Sequence, residues 1–335
     1  MKNHTVPIVI VVIAITLAGL GAWALLSSSR SLPAAPDPIS IGTPPNEASA
    51  LLYIAEDRQF FAKNGLAVTI REYDPAAAGV GAMLNGEVDL AVASEYAVVM
   101  NAFNRENISI LARDDELQSV YLIGRKDRGI ANITDLHGKV IGVPRGTIGE
   151  FYLGRFLTLH GMDLRDVTQV NVLPRQSADA ISAERLDAIV CWQPYASEIM
   201  SGKGDTVVAW PAQSGQLTHA VIVARNGWIA GNPGLVVRLL RSLDMAAEYT
   251  ASHPAESQAI VQERLNLSDT YLASAWPENH FGLSLDQSLV LAMEDEARWM
   301  IANNMTNATA VPDFIRYMYT DGMEAVKPGS VNIIR

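Results

Sequence analysis

Short apolar runs alternate with stretches of helical period along most of the chain, and this alternation restricts the fold more than any other feature. Residues 39–42 read as a strand. Residues 47–63 place apolar side chains at 51, 52, 54, 55, 60 and 61, one face of an amphipathic helix closed by Asn64-Gly65. A strand at 66–73, a short helix at 75–84, a strand at 89–93, a helix at 95–103 and a strand at 108–112 come next. Strands that recur with helices between them predict a mainly parallel sheet covered on both faces.

A second cycle begins after the strand-like segment 119–125. It reads as helix 130–136, strand 139–143, helix 147–160, strand 167–173, helix 177–184, strand 187–191, helix 194–200 and strand 206–209. A further strand at 219–224 precedes an almost wholly helical region, whose last long helix, 286–303, aligns Leu289, Val290, Met293, Ala297 and Met300. These last helices have no sheet of their own and must pack back on the first unit. The predicted fold class is therefore α/β with two lobes. Residues 39–120 and 220–335 form a discontinuous first lobe and residues 121–219 the second. Two crossing strands, near 118–125 and 217–225, join them over a cleft.

Ahead of this body, residues 6–26 carry no charge, between Lys2 and Arg30. At about 1.5 Å per residue they reach roughly 31 Å, the thickness of a bilayer core. Ser27-x-Ser29 and Ala34-Ala35 both suit a cleavage site. Residues 1–38 are thus read as a signal peptide or a membrane anchor with a Pro/Ala linker behind it, and the remainder of the chain as exported.

The 335 residues are 49% hydrophobic and 18% charged, enough for two cored domains and too apolar for a disordered chain. The net charge of −11, without an extended run of Lys or Arg, argues against a nucleic-acid partner. A single cysteine, Cys191, excludes a disulfide framework and a Cys-rich zinc site. The six histidines lack metal-ligand spacing, so neither a metal nor a cofactor is expected. No nucleophile elbow or phosphate-binding glycine loop occurs, and the expectation is a non-enzyme. The acid–base pairing available to an enzyme reading is His219 with Glu95 or Asp114.

Three helix starts face the carboxyl ends of strands, where open α/β sheets bind ligands. The first is the loop from Thr43 to Asn46, with Asn46 as a cap. The second is Ser94-Glu95. The third is Arg145-Gly146-Thr147, where Gly146 permits close backbone approach and Thr147 opens a helix whose N–H groups suit an anion. Trp192 and Gln193 come directly after the strand 187–191, an aromatic and an amide placed to wall a small ligand. Tyr195, close behind, is more often a packing residue than a contact.

Several stretches resemble the periplasmic solute-binding proteins of ABC importers, in the branch that binds nitrate, sulfonates, taurine and thiamine pyrimidine precursors. Leu84-Asn85-Gly86-Glu87-Val88-Asp89-Leu90-Ala91 and Asp135-Leu136-His137-Gly138-Lys139 resemble segments of the two lobes, and Trp192-Gln193-Pro194-Tyr195 resembles the block that narrows the match to this branch. The resemblance implies a type II periplasmic-binding-protein fold, a monomer that closes on a small solute and presents it to an ABC permease. It also implies a polar cleft residue at His219. The family's usual carboxylate between Trp and Pro is Gln193 here, which removes a negative charge from the cleft. The favoured ligand is a small sulfonate-, taurine- or nitrate-like anion held by Thr43, Asn46, Ser94, Glu95, Gly146, Thr147, Trp192, Gln193 and His219. The alternatives are a heterocycle such as a thiamine pyrimidine precursor, an anchored sensor domain, or a small-metabolite enzyme on the same fold.

Overall fold

The computed structural model describes residues 35–183 and 185–334. The apolar stretch 6–26, with its signal or anchor reading, lies outside the described residues. Among those residues no helix is long and apolar enough to cross a membrane.

Two five-stranded sheets carry the architecture. The first has the order β2-β1-β3-β10-β4. Its strands are β1 (Asp37–Thr43), β2 (Leu66–Glu72), β3 (Leu90–Ser94), β4 (Ile108–Leu117) and β10 (Thr218–Arg225). The second has the order β7-β6-β8-β5-β9. It contains β5 (Val120–Arg125), β6 (Val140–Val143), β7 (Thr168–Asn171), β8 (Ala188–Trp192) and β9 (Val207–Pro211). In each sheet four strands run in one direction, and the fifth, β10 or β5, is antiparallel to both of its neighbours. The central strands are nearly continuous apolar runs, as sheets covered on both faces require: Leu90 to Ala93 and Ala188 to Cys191 are all buried.

The chain passes from β4 to β5 across Gln118-Ser119 and returns from β9 to β10 across 212–217. Gln213 is fully buried and ties these passages together. Its Oε1 accepts from Ser119 N–H at 2.6 Å and Val120 N–H at 2.9 Å, while Nε2 donates to the Leu117 and Gln216 carbonyls, each at 2.9 Å. One side chain thus satisfies backbone groups that a sheet ladder leaves over where the chain changes sheets.

Two elements differ from the periodicity reading. The helix expected over 47–63 is a 3₁₀ turn, Glu47–Ser49, then Ala50–Asp57 and a separate Phe60–Lys63. Gln59, at φ 59°, breaks the run, yet Phe60 and Phe61 remain on the core. The strand expected at 108–112 continues to Leu117, because β10 pairs along its whole length. Locally, Arg113-Asp114-Asp115-Glu116 looks like a solvated charge run; in the fold Asp114 and Asp115 are buried.

The C-terminal helices pack on the first sheet's helices as expected, but the region is not without strands: Leu285–Asp286 and Val331–Asn332 form a short parallel pair. Pro233–Ser252 lies on Ala50–Asp57, and Gln287–Ala302 on Glu95–Phe103. The helix Gln287–Ala302 also meets Ile148–Leu159 of the second unit. There Trp299 stands edge-on to Phe151, ring centroids 5.5 Å apart. Gly154 permits that approach, since a Cβ on it would lie 2.5 Å from the indole.

Candidate ligand cleft

Strand register brings the ends of both sheets to one place. Ser94 at the end of β3 pairs with Ala220, Leu117 at the end of β4 with Thr218, and Trp192 at the end of β8 with Val120. The helices Glu95–Phe103 and Ile148–Leu159 start beside them, so strand carboxyl ends and helix N-termini converge. A cavity of about 80 Å³ lies between them, with Asn46, Asp74, Ser94 and Thr218 on one side and Gly146, Thr147 and Trp192 on the other. Most of the remaining wall is small and apolar, including Pro75, Ala76, Ala77 and Val92. Among the described residues, no Lys, Arg or His lines it.

Five residues expected from sequence line this cavity: Asn46, Ser94, Gly146, Thr147 and Trp192. Asn46 is a cap, its Oδ1 accepting from Ala48 N–H at 3.2 Å. Ser94 stands at the N-cap of its helix without making a side-chain cap bond. Thr147 makes both bonds of a structural cap: Oγ1 donates to the Pro144 carbonyl at 2.6 Å and accepts from Gly149 N–H at 3.3 Å. Gly146, at φ 69°, donates its N–H to Glu150 Oε2 at 3.0 Å, so one donor of this helix start is already taken by the protein's own carboxylate. Arg145 is exposed and donates to the Gln169 carbonyl, away from the cavity.

The other four expected residues lie elsewhere. Gln193 lines a small adjoining pocket and accepts from Ser197 N–H at 3.1 Å. Thr43 is fully buried behind the first loop, its hydroxyl 2.6 Å from Ser49 Oγ. Glu95 points inward, with Oε1 accepting the His219 backbone N–H at 3.0 Å. Burial pushes its carboxyl up to about 8. His219 is also buried, Nδ1 lying 3.3 Å from Glu116 Oε1, and burial with help from Arg113 pushes its imidazole down to about 4. A neutral, enclosed ring joined to Glu95 only through its own backbone is not the acid–base pair that an enzyme reading needs. In each case a side chain that sequence position places near the cleft is drawn into the protein by a nearer partner.

Sequence reasoning missed the segment Asp74 to Ala77, which lies just beyond β2 and forms one wall. The missed contact with most consequence joins it to the far side: Tyr195 Oη donates to Asp74 Oδ2 at 2.6 Å. The one signal in the sequence is Tyr195 itself, whose position reads more readily as packing. Among the described residues, no cluster of three or more His, Cys, Asp and Glu is placed to hold a metal ion.

The family described as NMT1/THI5 like matches residues 46–257, which take in both sheets apart from β1 and the cavity lining apart from Pro44. The chain belongs to that family. A protein of Brucella abortus (strain 2308), named provisionally as a binding protein, is 25% identical over 232 residues, covering 67% of this chain and 70% of the relative. A relative named as an enzyme, the 4-amino-5-hydroxymethyl-2-methylpyrimidine phosphate synthase of Aspergillus parasiticus, is 25% identical over 223 residues, 62% of this chain and 64% of the relative. Among solved structures, the alkanesulfonate-binding protein SsuA from Xanthomonas axonopodis pv. citri, bound to MOPS, superposes with a TM-score of 0.75 at 17% identity. That match covers 85% of this chain and 99% of the other. The fold is the two-lobe periplasmic-binding-protein fold.

Proposed function

We propose that this protein is the extracytoplasmic solute-binding component of an ABC import system, closing its lobes on a small organic solute and presenting it to a permease. The observation that carries this reading is the cavity, walled by both sheets at the strand ends and bridged by Tyr195 and Asp74. In this reading residues 39–120 and 220–335 move as one lobe and residues 121–219 as the other. The uncharged stretch 6–26 supports export.

The wall chemistry narrows the solute. With no cationic side chain and with the Asp74 carboxylate on the wall, a simple anion meets repulsion without a counter-charge. A flat nitrogen heterocycle against Trp192, such as a thiamine pyrimidine precursor, suits the apolar wall better. The second reading is a zwitterionic sulfonate such as taurine. It is favoured by the Ser94 hydroxyl and by the start of the helix Ile148–Leu159. There Gly149 N–H is taken by Thr147 Oγ1 and Glu150 N–H by the Thr147 carbonyl, and the Thr147 and Ile148 N–H groups are the ones placed to donate.

A thermal-shift screen over pyrimidine precursors, taurine, alkanesulfonates, nitrate and bicarbonate tests the reading. A ligand at 100 times its Kd stabilises the folded chain by about 2.7 kcal/mol. Trp192→Ala removes a heterocycle's stacking partner, whereas Thr147→Pro removes an N–H and weakens a sulfonate. A melting temperature unmoved by every solute in the screen rejects the proposal.

A further inference from the structure

A side pocket opens beside the ligand cavity and shares Asn46, Leu117 and Ser119 with it. Its volume is about 10 Å³, room for one water-sized group. Glu47, Gln193, Glu278 and Asn279 contribute polar wall, and again no Lys, Arg or His lines it. Two buried acceptors there, Oε1 of Glu47 and Oδ1 of Asn279, have no donor in full hydrogen-bonding geometry, and the Tyr271 hydroxyl is the donor that lies beside the Glu47 carboxyl. Glu47 is 4% exposed. One phenol does not fill the acceptor capacity of a carboxylate so deep, and with an unfilled amide oxygen lining the same pocket a further donor there is favourable.

A group that fits this space, supplies several donors, accepts nothing and neutralises an acid is an ammonium. We propose that the side pocket receives a protonated amine of the solute, with Glu47 and Asn279 as its acceptors. This assignment rests on the solute reading of the adjoining cavity and adds a chemical class to it: the solute carries a primary amine on a short arm beside its main body. Burial raises the Glu47 carboxyl above its ordinary range, and the arriving cation works against that rise.

Two matched pairs of probes test it by calorimetry on the full chain. Taurine differs from ethanesulfonate by an ammonium group, and 4-amino-5-aminomethyl-2-methylpyrimidine differs from its 5-hydroxymethyl analogue in the same way. In at least one pair the amine member binds at least tenfold tighter, and Glu47→Gln reduces that preference to threefold or less. Asn279→Ala reduces it as well and decides the matter if the Glu47 variant does not fold, as its melting curve reveals. Equal binding within every pair that binds, or a preference that survives both variants, overturns the assignment while leaving the solute reading intact; the pocket then holds a structural water only. Failure of all four compounds to bind overturns the assignment, and the solute reading falls with it only if the wider thermal-shift screen is empty as well.

Discussion

The Tyr195 hydroxyl donates to Asp74 Oδ2 at 2.6 Å, joining residues 121 positions apart on opposite walls of the cleft. Tyr195 opens the helix Tyr195–Lys203 of the second sheet, and Asp74 precedes the helix Ala76–Leu84 of the first. The bond exists only while the two walls are close. On the proposed reading it is a contact of the closed form, and removing it is expected to shift the balance toward the open one.

Tyr195→Phe keeps the ring and deletes the donor. A hydrogen bond to a charged group contributes about 1.5–3 kcal/mol. Solute affinity falls by about tenfold or more, and small-angle scattering finds the variant more expanded than the wild type. An unchanged Kd and radius of gyration exclude a role for this bond in closure.

Gly154→Ala tests the second contact between the units. The added methyl meets the Trp299 indole, whose atoms lie 2.5–2.8 Å from that position. Overpacking of this kind costs about 1–3 kcal/mol. The cost falls on the closed form, so calorimetry finds weaker solute binding, and Trp299→Ala in the same chain restores part of the affinity.

Gln213→Leu leaves the Ser119 and Val120 N–H groups and the Leu117 carbonyl without their side-chain partner. Each buried group so abandoned costs about 1–3 kcal/mol. The melting temperature falls by roughly 6 °C or more at about 2–4 °C per kcal/mol. A drop below about 2 °C means that water replaces the amide without loss.

Stability declines from pH 6.5 to 8. Burial pushes the Glu95 carboxyl up to about 8, against hydrogen bonds from backbone N–H groups that pull it down, and it pushes Asp114 up to about 8 as well. Both keep protons in the folded chain that the unfolded chain has released above pH 4–5, so rising pH destabilises the fold until it passes about 8. His219 acts in the opposite sense. Its ring stays neutral down to about 4, whereas the unfolded ring protonates below 6.5, so stability falls as pH drops through that window. Above 6.5 only the carboxyls contribute, each by up to about 1.4 kcal/mol per pH unit. Melting curves of Glu95→Gln therefore flatten over pH 6.5–8; a slope equal to that of the wild type refutes the assignment for Glu95.

Element type and order, the two α/β cycles, the return of the C-terminal helices and five cavity-lining residues are legible in the sequence. They rest on local signals: apolar period, helix caps and the residues just past strand ends. The helix 95–103 is legible to the residue because Ser94 and the apolar face mark both its start and its buried side. What only the tertiary structure decided depends on pairing between distant segments. The extension of β4 to Leu117, and with it the burial of Asp114 and Asp115, comes from β10, about a hundred residues later. Glu95 is turned from the cleft by the His219 backbone N–H, the His219 ring lies against Glu116, and Asp74 meets Tyr195. A polar side chain carries no periodicity that names its partner. Its role is settled when the fold decides which donors and acceptors burial leaves within reach.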